Sequence, residues 1–432
     1  MQRRPLEGLR VIDMTVVWAG PFGSALLGDM GAEVIRVESL QHWDLNSRGQ
    51  FFPLETMQKN ADDVDPDAKP WDLSANHNSV GRNKRSVTMD LTRPEGREVF
   101  YRLVEKSDIF IENNPTDVIR KLGVGYDILG PINPRLIMLS MPAFGTTGPY
   151  ESFRAFGANM EAVVGHTLLR GYPDSDATNN TGVFLADAAG GATGAFALLA
   201  ALHYRNRTGK GQFIDMSQAE NVTHTLSQAF MDYSMNRRVQ TTLGNRDPAR
   251  APQGVYRCAG DDHWLALSCG SDGEFRGLCK VMGRLELATD ERFADSLSRH
   301  DNQDALDAEI SAWSVGQDYY EAFHALQAVG VPCSPVLNAA AVFADPHLQE
   351  RGVWQRLKHP KAGTHWYLGP IIGHMSKTPL KIWKYASTLG EDNEYVYKEV
   401  CGYTDEEYQR FVETQHAGTE IIARGKTPAA PR

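Results

Sequence analysis

The chain has 432 residues, more than one ordinary core accommodates, and at about 150 residues per unit it predicts two or three units. Its 42% apolar and 23% charged residues belong to a folded globular protein and exclude a disordered one. A formal charge of −10 excludes a general binder of nucleic acid or anionic membrane, whereas a small anion needs only a local basic lining.

Leu9–Thr15 reads as a strand that runs into the loop Val16–Gly23. Ser24–Met30 reads as a short helix closed by Gly31, and Glu33–Glu38 as a second strand, which makes a compact βαβ unit with a right-handed crossover. Glycines at 20, 23, 28 and 31 do not spell a dinucleotide fingerprint, although Glu38 stands where a ribose-binding acid would. Residues 40–80 are polar and irregular, with acids at 62, 63, 65 and 67, and read as a long surface excursion. Strands follow at Val87–Asp90, Asp108–Glu112 and Leu136–Ser140, with helices from Pro94 to about Lys106 and around Val118–Leu122 between them. This alternation means an α/β fold with a doubly wound, Rossmann-like parallel sheet, whose ligands sit beyond the strand C-termini. Asn83, Lys84, Arg85, Asn113 and Lys121 are read as a basic, hydrogen-bonding rim at that edge; solvated turn residues are the alternative for Lys84 and Arg85.

The stretch Gly182–Leu202 carries the sharpest chemical signal. A short apolar run reaches Asp187, then passes through Gly190-Gly191 into a long stretch of small and apolar residues. A carboxylate at the mouth of a helix has two readings: an N-cap, or a nucleophile kept ionised by helix N–H groups and the positive end of the macrodipole. The glycines let another backbone or a ligand come close. Residues 218–236 read helical, with Ala219, Val222, Leu226 and Phe230 on one face, and residues 237–254 read as a linker. A strand pair at Gly254–Cys258 and His263–Ser268, then helical patterns at 272–283, 302–312 and 318–328, form a smaller α+β unit. The domain reading is therefore 1–217, 218–253 as helix and linker, 254–335, and 336–432, where the signal is weakest.

Five cysteines, at 258, 269, 279, 333 and 401, show no CxxC or Cys/His ligand spacing. This argues against a disulfide framework and a metal site, and for a reducing cytoplasm. The N-terminus lacks a hydrophobic signal core and no window approaches 18 uninterrupted apolar residues, so no membrane partner is expected. GxSxG, HExxH and Walker patterns are absent.

Several separate segments resemble the family III CoA-transferases (the formyl-CoA and carnitine, CaiB/BaiF-like group). They are Leu6–Thr15, Ala19–Pro21, Leu27–Glu38, Asn83–Ser86, Asn133–Arg135, Ala186–Gly191 and Thr208–Gln212, in the family's order. The resemblance implies that Asp187 is the nucleophile and that Val17 and Trp18 line the active site. It also implies that Asn83, Lys84, Arg85, Asn113, Val118, Lys121 and Leu122 lie along the CoA site. Gly190, Gly191 and the loop at Gly270 and Gly273 are candidate oxyanion donors, with plain turns or close packing as the alternative. The implied reaction moves CoA between two carboxylic acids through an aspartyl anhydride and an aspartyl-CoA thioester. An acyl-CoA, such as succinyl-CoA, and a free acid are the substrates, and no cofactor is held tightly. Trp18 stands where formyl-CoA transferases have Gln, which points to a larger or aromatic acceptor. The implied architecture is an interlocked dimer, as homodimer or with a paralogous chain, whose large domain takes in both chain ends; residues 336–432 would complete it. Two alternatives remain: an acyl-CoA racemase, against which Arg154–Glu161 holds no His, and a non-catalytic CoA-binding subunit.

Overall fold

The computed structural model describes residues 4–44, 47–49, 63–179, 185–370 and 372–422. Six parallel strands form its main sheet: β1 (Arg10–Met14), β2 (Glu33–Glu38), β3 (Lys84–Thr88), β4 (Ile109–Glu112), β5 (Ile137–Ser140) and β6 (Gln212–Asp215). Their order is β3-β2-β1-β4-β5-β6, so the winding reverses between β1 and β4, where Val11 pairs with both Val34 and Ile109. That switch point opens a crevice beyond the C-terminal ends of the strands.

The central strands β1, β4 and β5 are buried on both faces and read as nearly continuous apolar runs, while β6 at the edge is half exposed. Val11, Ile109, Ile111, Ile137 and Leu139 face one core with Leu26, Leu27, Leu198 and Leu202, from the helices Ala19–Asp29 and Leu185–Thr208. Ile12, Phe110 and Met138 face the other, with Val99, Phe100 and Leu103 of the helix Pro94–Glu105. Val396 and Tyr397 join that second core from the π-helical turn Tyr395–Val400, so the C-terminal segment covers part of the sheet.

Contacts divide the chain into two units. The first takes in Met1–Val164, Gly182–Met231 and Gly352–Arg432, and the second Gly165–Thr181 and Asp232–Arg351. The large unit is thus built from both chain ends. Its return segment is stitched to β3 by side chains: Asn393 Oδ1 accepts the Thr88 N–H at 2.8 Å, and Asp392 Oδ2 accepts the Ser86 N–H at 3.0 Å. The second unit holds the antiparallel sheet β7 (Gln253–Arg257), β8 (Trp264–Ser268) and β9 (Cys333–Val336). Its core is built on Phe275, Leu278, Phe293, Leu306, Ile310 and Leu326.

Some local expectations are corrected. The first helix begins at Ala19, not Ser24, because Pro21 falls within its first turn, where a missing N–H costs nothing. The excursion at 40–80 is not all surface: Arg48 is buried, paired with Glu38 at 2.5 Å and Asp72 at 2.8 Å. These bonds also account for Glu38, whose carboxyl burial pushes up while Arg48 and Arg36 bring it down to about 2. Asp62 and Gly182–Phe184 lie outside the described residues. Residues 165–181 belong with the second unit rather than the first. Along 218–236 the apolar face is buried only at Ala219 and Val222, while Phe230 is exposed.

Candidate functional site

Asp187 sits in the first turn of Leu185–Thr208 and is 6% exposed. It does not cap its own helix. That role falls to Glu161, at 0% exposure, whose Oε1 accepts the Leu185 N–H at 2.9 Å and the Ala186 N–H at 3.3 Å. The Asp187 carboxylate instead faces the backbone of Ala19, the first residue of the neighbouring helix, whose N–H draws its pKa down. A helix start offers N–H groups without intrahelical partners and the positive end of a dipole, both suited to an anion. Burial nevertheless dominates and pushes the Asp187 carboxyl up to about 6, against the pull of the Ala19 N–H, and Glu161 adds to the rise.

Small residues make this meeting of two helices possible. A Cβ on Gly191 would lie 2.7 Å from the Ala19 carbonyl oxygen and 2.7 Å from Phe22 Cδ1, and one on Gly23 2.9 Å from the Gly191 carbonyl oxygen. Gly190 faces Gln218, where a Cβ would lie 3.3 Å from Oε1. Both Gly190 and Gly191 lie past the first turn, where helix geometry commits their N–H groups to carbonyls four residues back. They serve close packing and not oxyanion donation. Gly191→Ala is expected to destabilise the fold by about 1–3 kcal/mol through overpacking. That outweighs the ~1 kcal/mol alanine gains over glycine inside a helix. A lowered urea midpoint at unchanged slope checks it.

Side chains from other elements hold the backbone of the loop between β1 and the Ala19 helix. The Val16 N–H donates to Asn113 Oδ1 at 2.8 Å, and Asn113 Nδ2 donates to the Val16 carbonyl at 2.9 Å. Val17 adopts φ +66°, costly for a β-branched residue, with its N–H donated to Asp44 Oδ2 at 2.8 Å. Trp18 is the N-cap residue and stacks on Phe22 with ring centroids 4.7 Å apart.

Beyond the strand ends, a cavity of about 600 Å³ opens at the switch point. Thr15, Val16, Asn114, Val118, Lys121 and Leu122 line it, together with Arg36, His42 and Arg154. Arg36 Nη1 is buried and hydrogen-bonds nothing among the described residues. Lys121 is largely exposed and pairs with Asp117 at 2.9 Å. Val118, Lys121 and Leu122 thus line this crevice, Asn113 holds its Val16, and Val17, Trp18 and Asp187 lie at the adjoining helix start.

Asn83, Lys84 and Arg85 are placed elsewhere. They enter β3 at its N-terminal end, level with Val34 of β2, and all three are engaged. Asn83 Nδ2 donates to Asp29 Oδ1 at 2.8 Å, while its Oδ1 accepts the N–H groups of Trp383 and Lys384. Lys84 Nζ donates to Asp13 Oδ2 at 2.8 Å, the Pro21 carbonyl at 2.7 Å and Ser24 Oγ at 2.8 Å. Arg85 pairs with Glu33 and Asp392 and lies over the Tyr395 ring. Gly270 belongs to the second unit, where its N–H donates to Glu274 Oε2 at 2.6 Å. Sequence reasoning missed Glu161, Asp44 and Arg36, because a lone acid or base carries no signal until its backbone or charged partner is known.

The model of CoA-transferase family III matches residues 6–393. The beta subunit of succinyl-CoA–L-malate CoA-transferase from Chloroflexus aurantiacus is 33% identical, over 93% of this chain and 96% of that protein. The succinate–glutarate CoA-transferase of Agrobacterium fabrum is 34% identical, over 92% of this chain and 96% of that protein. Among solved structures, a CaiB/BaiF family protein from Brucella suis superposes with a TM-score of 0.80 at 32% identity, covering 92% of this chain and 100% of that one.

Proposed function

The chain belongs to CoA-transferase family III and is a CoA-transferase, and from that premise we propose that Asp187 carries first the acyl group and then the CoA. The observation that carries this reading is a buried carboxylate that is not needed as a cap and is aimed at the start of another helix. A carboxyl titrating near 6 is ionised at neutral pH yet more basic than an exposed aspartate, the combination a nucleophile needs.

In the first step an Asp187 carboxylate oxygen attacks the acyl-CoA carbonyl. The C–S bond breaks, CoA leaves as thiolate, and a mixed anhydride remains. The thiolate attacks Cγ of Asp187 and expels the acyl carboxylate, leaving an aspartyl-CoA thioester. An incoming carboxylate attacks the same Cγ and displaces the thiolate. That thiolate then takes the new acyl carbonyl and frees Asp187. Each step exchanges one activated acyl bond for another, so the sequence needs no ATP. The N–H groups at the start of the Ala19 helix are the donors closest to the developing oxyanions, in place of Gly190 and Gly191.

The crevice lined by Val118, Lys121 and Leu122 is where we place the CoA, with Lys121, Arg154 and Arg36 supplying cationic groups toward its phosphates. Succinyl-CoA is the donor we propose, because the two relatives described above are transferases of succinyl-CoA and of succinate. Trp18 suits a larger or aromatic acceptor. The active form is proposed to be an interlocked pair, of two copies or of this chain and a paralogue, since one relative is itself a subunit. Exposed Phe196, Phe230, Met231 and Met235 are apolar surface for such a partner. Five free cysteines fit a reducing cytoplasm.

The test is borohydride trapping: protein mixed with succinyl-CoA is reduced, and the modified peptide is mapped by mass spectrometry across pH. Asp187 is expected to appear as the alcohol. The trapping rate should be level above pH 7 and fall tenfold per pH unit below about 6, because protonation removes the nucleophile. An untouched Asp187 with every acyl-CoA tried would overturn the aspartyl route.

A further inference from the structure

Glu161 contacts Asp187's helix from the short helix Gly157–Val163, and no step of the transfer sequence uses it. Its carboxylate is fully buried, and Oε1 holds the N–H groups of the two residues that immediately precede Asp187. Where a side chain caps another helix start, it comes from the adjacent residue, as at Ser74, Ser217, Ser271, Asp295, Asp318, Asn338 and Thr404. At the nucleophile's helix the capping carboxylate instead comes from a different helix, 25 residues before Ala186. A second carboxylate is thereby buried one residue from the first.

We propose that Glu161 is a positioning residue that fixes the first turn carrying Asp187 and, by its own charge, opposes the charge on Asp187. This rests on the reading of Asp187 as the acyl carrier. Like charges brought together out of water repel, and the repulsion ends when Asp187 becomes a neutral anhydride or thioester. Glu161 therefore raises the free carboxylate relative to the acylated states, which speeds the attack, while its hydrogen bonds keep the repelled group in place.

Other charged groups on the packed elements do not replace it. The Ala19–Asp29 helix carries only Asp29, at its far end and bonded to Arg82 and Asn83. The helix Gln218–Thr223 carries Glu220, which is exposed, and β5 carries none. Leu185–Thr208 itself carries His203, Tyr204, Arg205 and Arg207 four turns or more further on. Glu161 is the charged group that bears on the Asp187 titration, in the direction of a higher pKa.

Glu161→Gln separates charge from capping, since the amide oxygen still accepts both N–H groups. Two measurements decide the matter. One is the pH profile of Asp187 acylation by succinyl-CoA; the other is the 13C carboxyl titration of Asp187 in free enzyme, located by its loss in Asp187→Asn. Glu161→Gln is expected to move the acid limb and the 13C titration down by about one pH unit and to slow the plateau roughly three- to tenfold, with CoA affinity unchanged. Glu161→Asp, which keeps the charge, should titrate like the wild type. A Gln variant with the wild-type limb and plateau, or an Asp variant that titrates like Gln, would reduce Glu161 to a helix stop. The 13C titration needs no substrate, so it still decides this point if no acyl-CoA labels Asp187 and the aspartyl route itself fails.

Discussion

Asp187→Asn is expected to lower kcat for CoA exchange by about 10³-fold or more while making the folded protein more stable above pH 6. The loss follows because an amide cannot form the anhydride, and the remaining N–H donors and CoA contacts have nothing to stabilise. The gain follows from linkage. The folded carboxyl titrates near 6, against 3.8 for an exposed aspartate. A folded pKa raised above the unfolded one means that the folded state holds the proton more tightly. The penalty is absent below about pH 4, grows between 3.8 and 6, and is complete above 6. A difference of about 2 in pKa corresponds to about 3 kcal/mol, and asparagine, which carries no charge to bury, escapes part of it. Unfolding midpoints of both proteins at pH 4 and pH 8 check this. The variant should lead only at pH 8; an active variant, or equal midpoints at pH 8, would contradict the site as drawn.

Lys84→Met is expected to cost about 3–5 kcal/mol of stability, because it leaves Asp13 as a buried charge beside two groups turned toward a missing ammonium. Lys84 ties β3 to Asp13 of β1 and to Pro21 and Ser24 of the neighbouring helix, and all three Nζ hydrogens are used there. Burial pushes its ammonium down to about 8 against the pull of Asp13, so it stays charged at neutral pH. Removing both charges in Asp13→Asn/Lys84→Met should recover part of the loss, since the uncompensated carboxylate is gone. Urea unfolding of the two variants and the wild type measures this. A CoA ligand would behave differently: Lys84→Met would then keep its stability and lose affinity.

The alternating strands and helices were legible because periodicity and composition are local. What local sequence left open was the direction in which a side chain reaches. Asn83–Arg85 look like a phosphate-binding rim, yet β3 begins at Lys84, which puts the trio at the wrong end of the sheet. Gly190-Gly191 look like oxyanion donors, but the helix already uses their N–H groups, and the backbones of Ala19 and Gly23 occupy the space a Cβ on Gly191 would take. Cap or nucleophile at Asp187 turns on Glu161, a residue in another element. The resemblance to the CoA-transferases supplied the chemistry that spacing alone did not.

The stitching of the return segment onto β3 has a consequence for how this protein is made. Thr88 waits for Asn393, 305 residues later in the chain. At a synthesis rate of roughly 5–20 residues per second, that is a wait of about 15–60 s. Throughout it, β3 forms the outer strand of a nascent sheet whose second core lacks Val396 and Tyr397. A ribosome-bound chain thus displays an open strand edge and apolar surface for most of its synthesis, which makes it a natural client for chaperones that shield such edges until release.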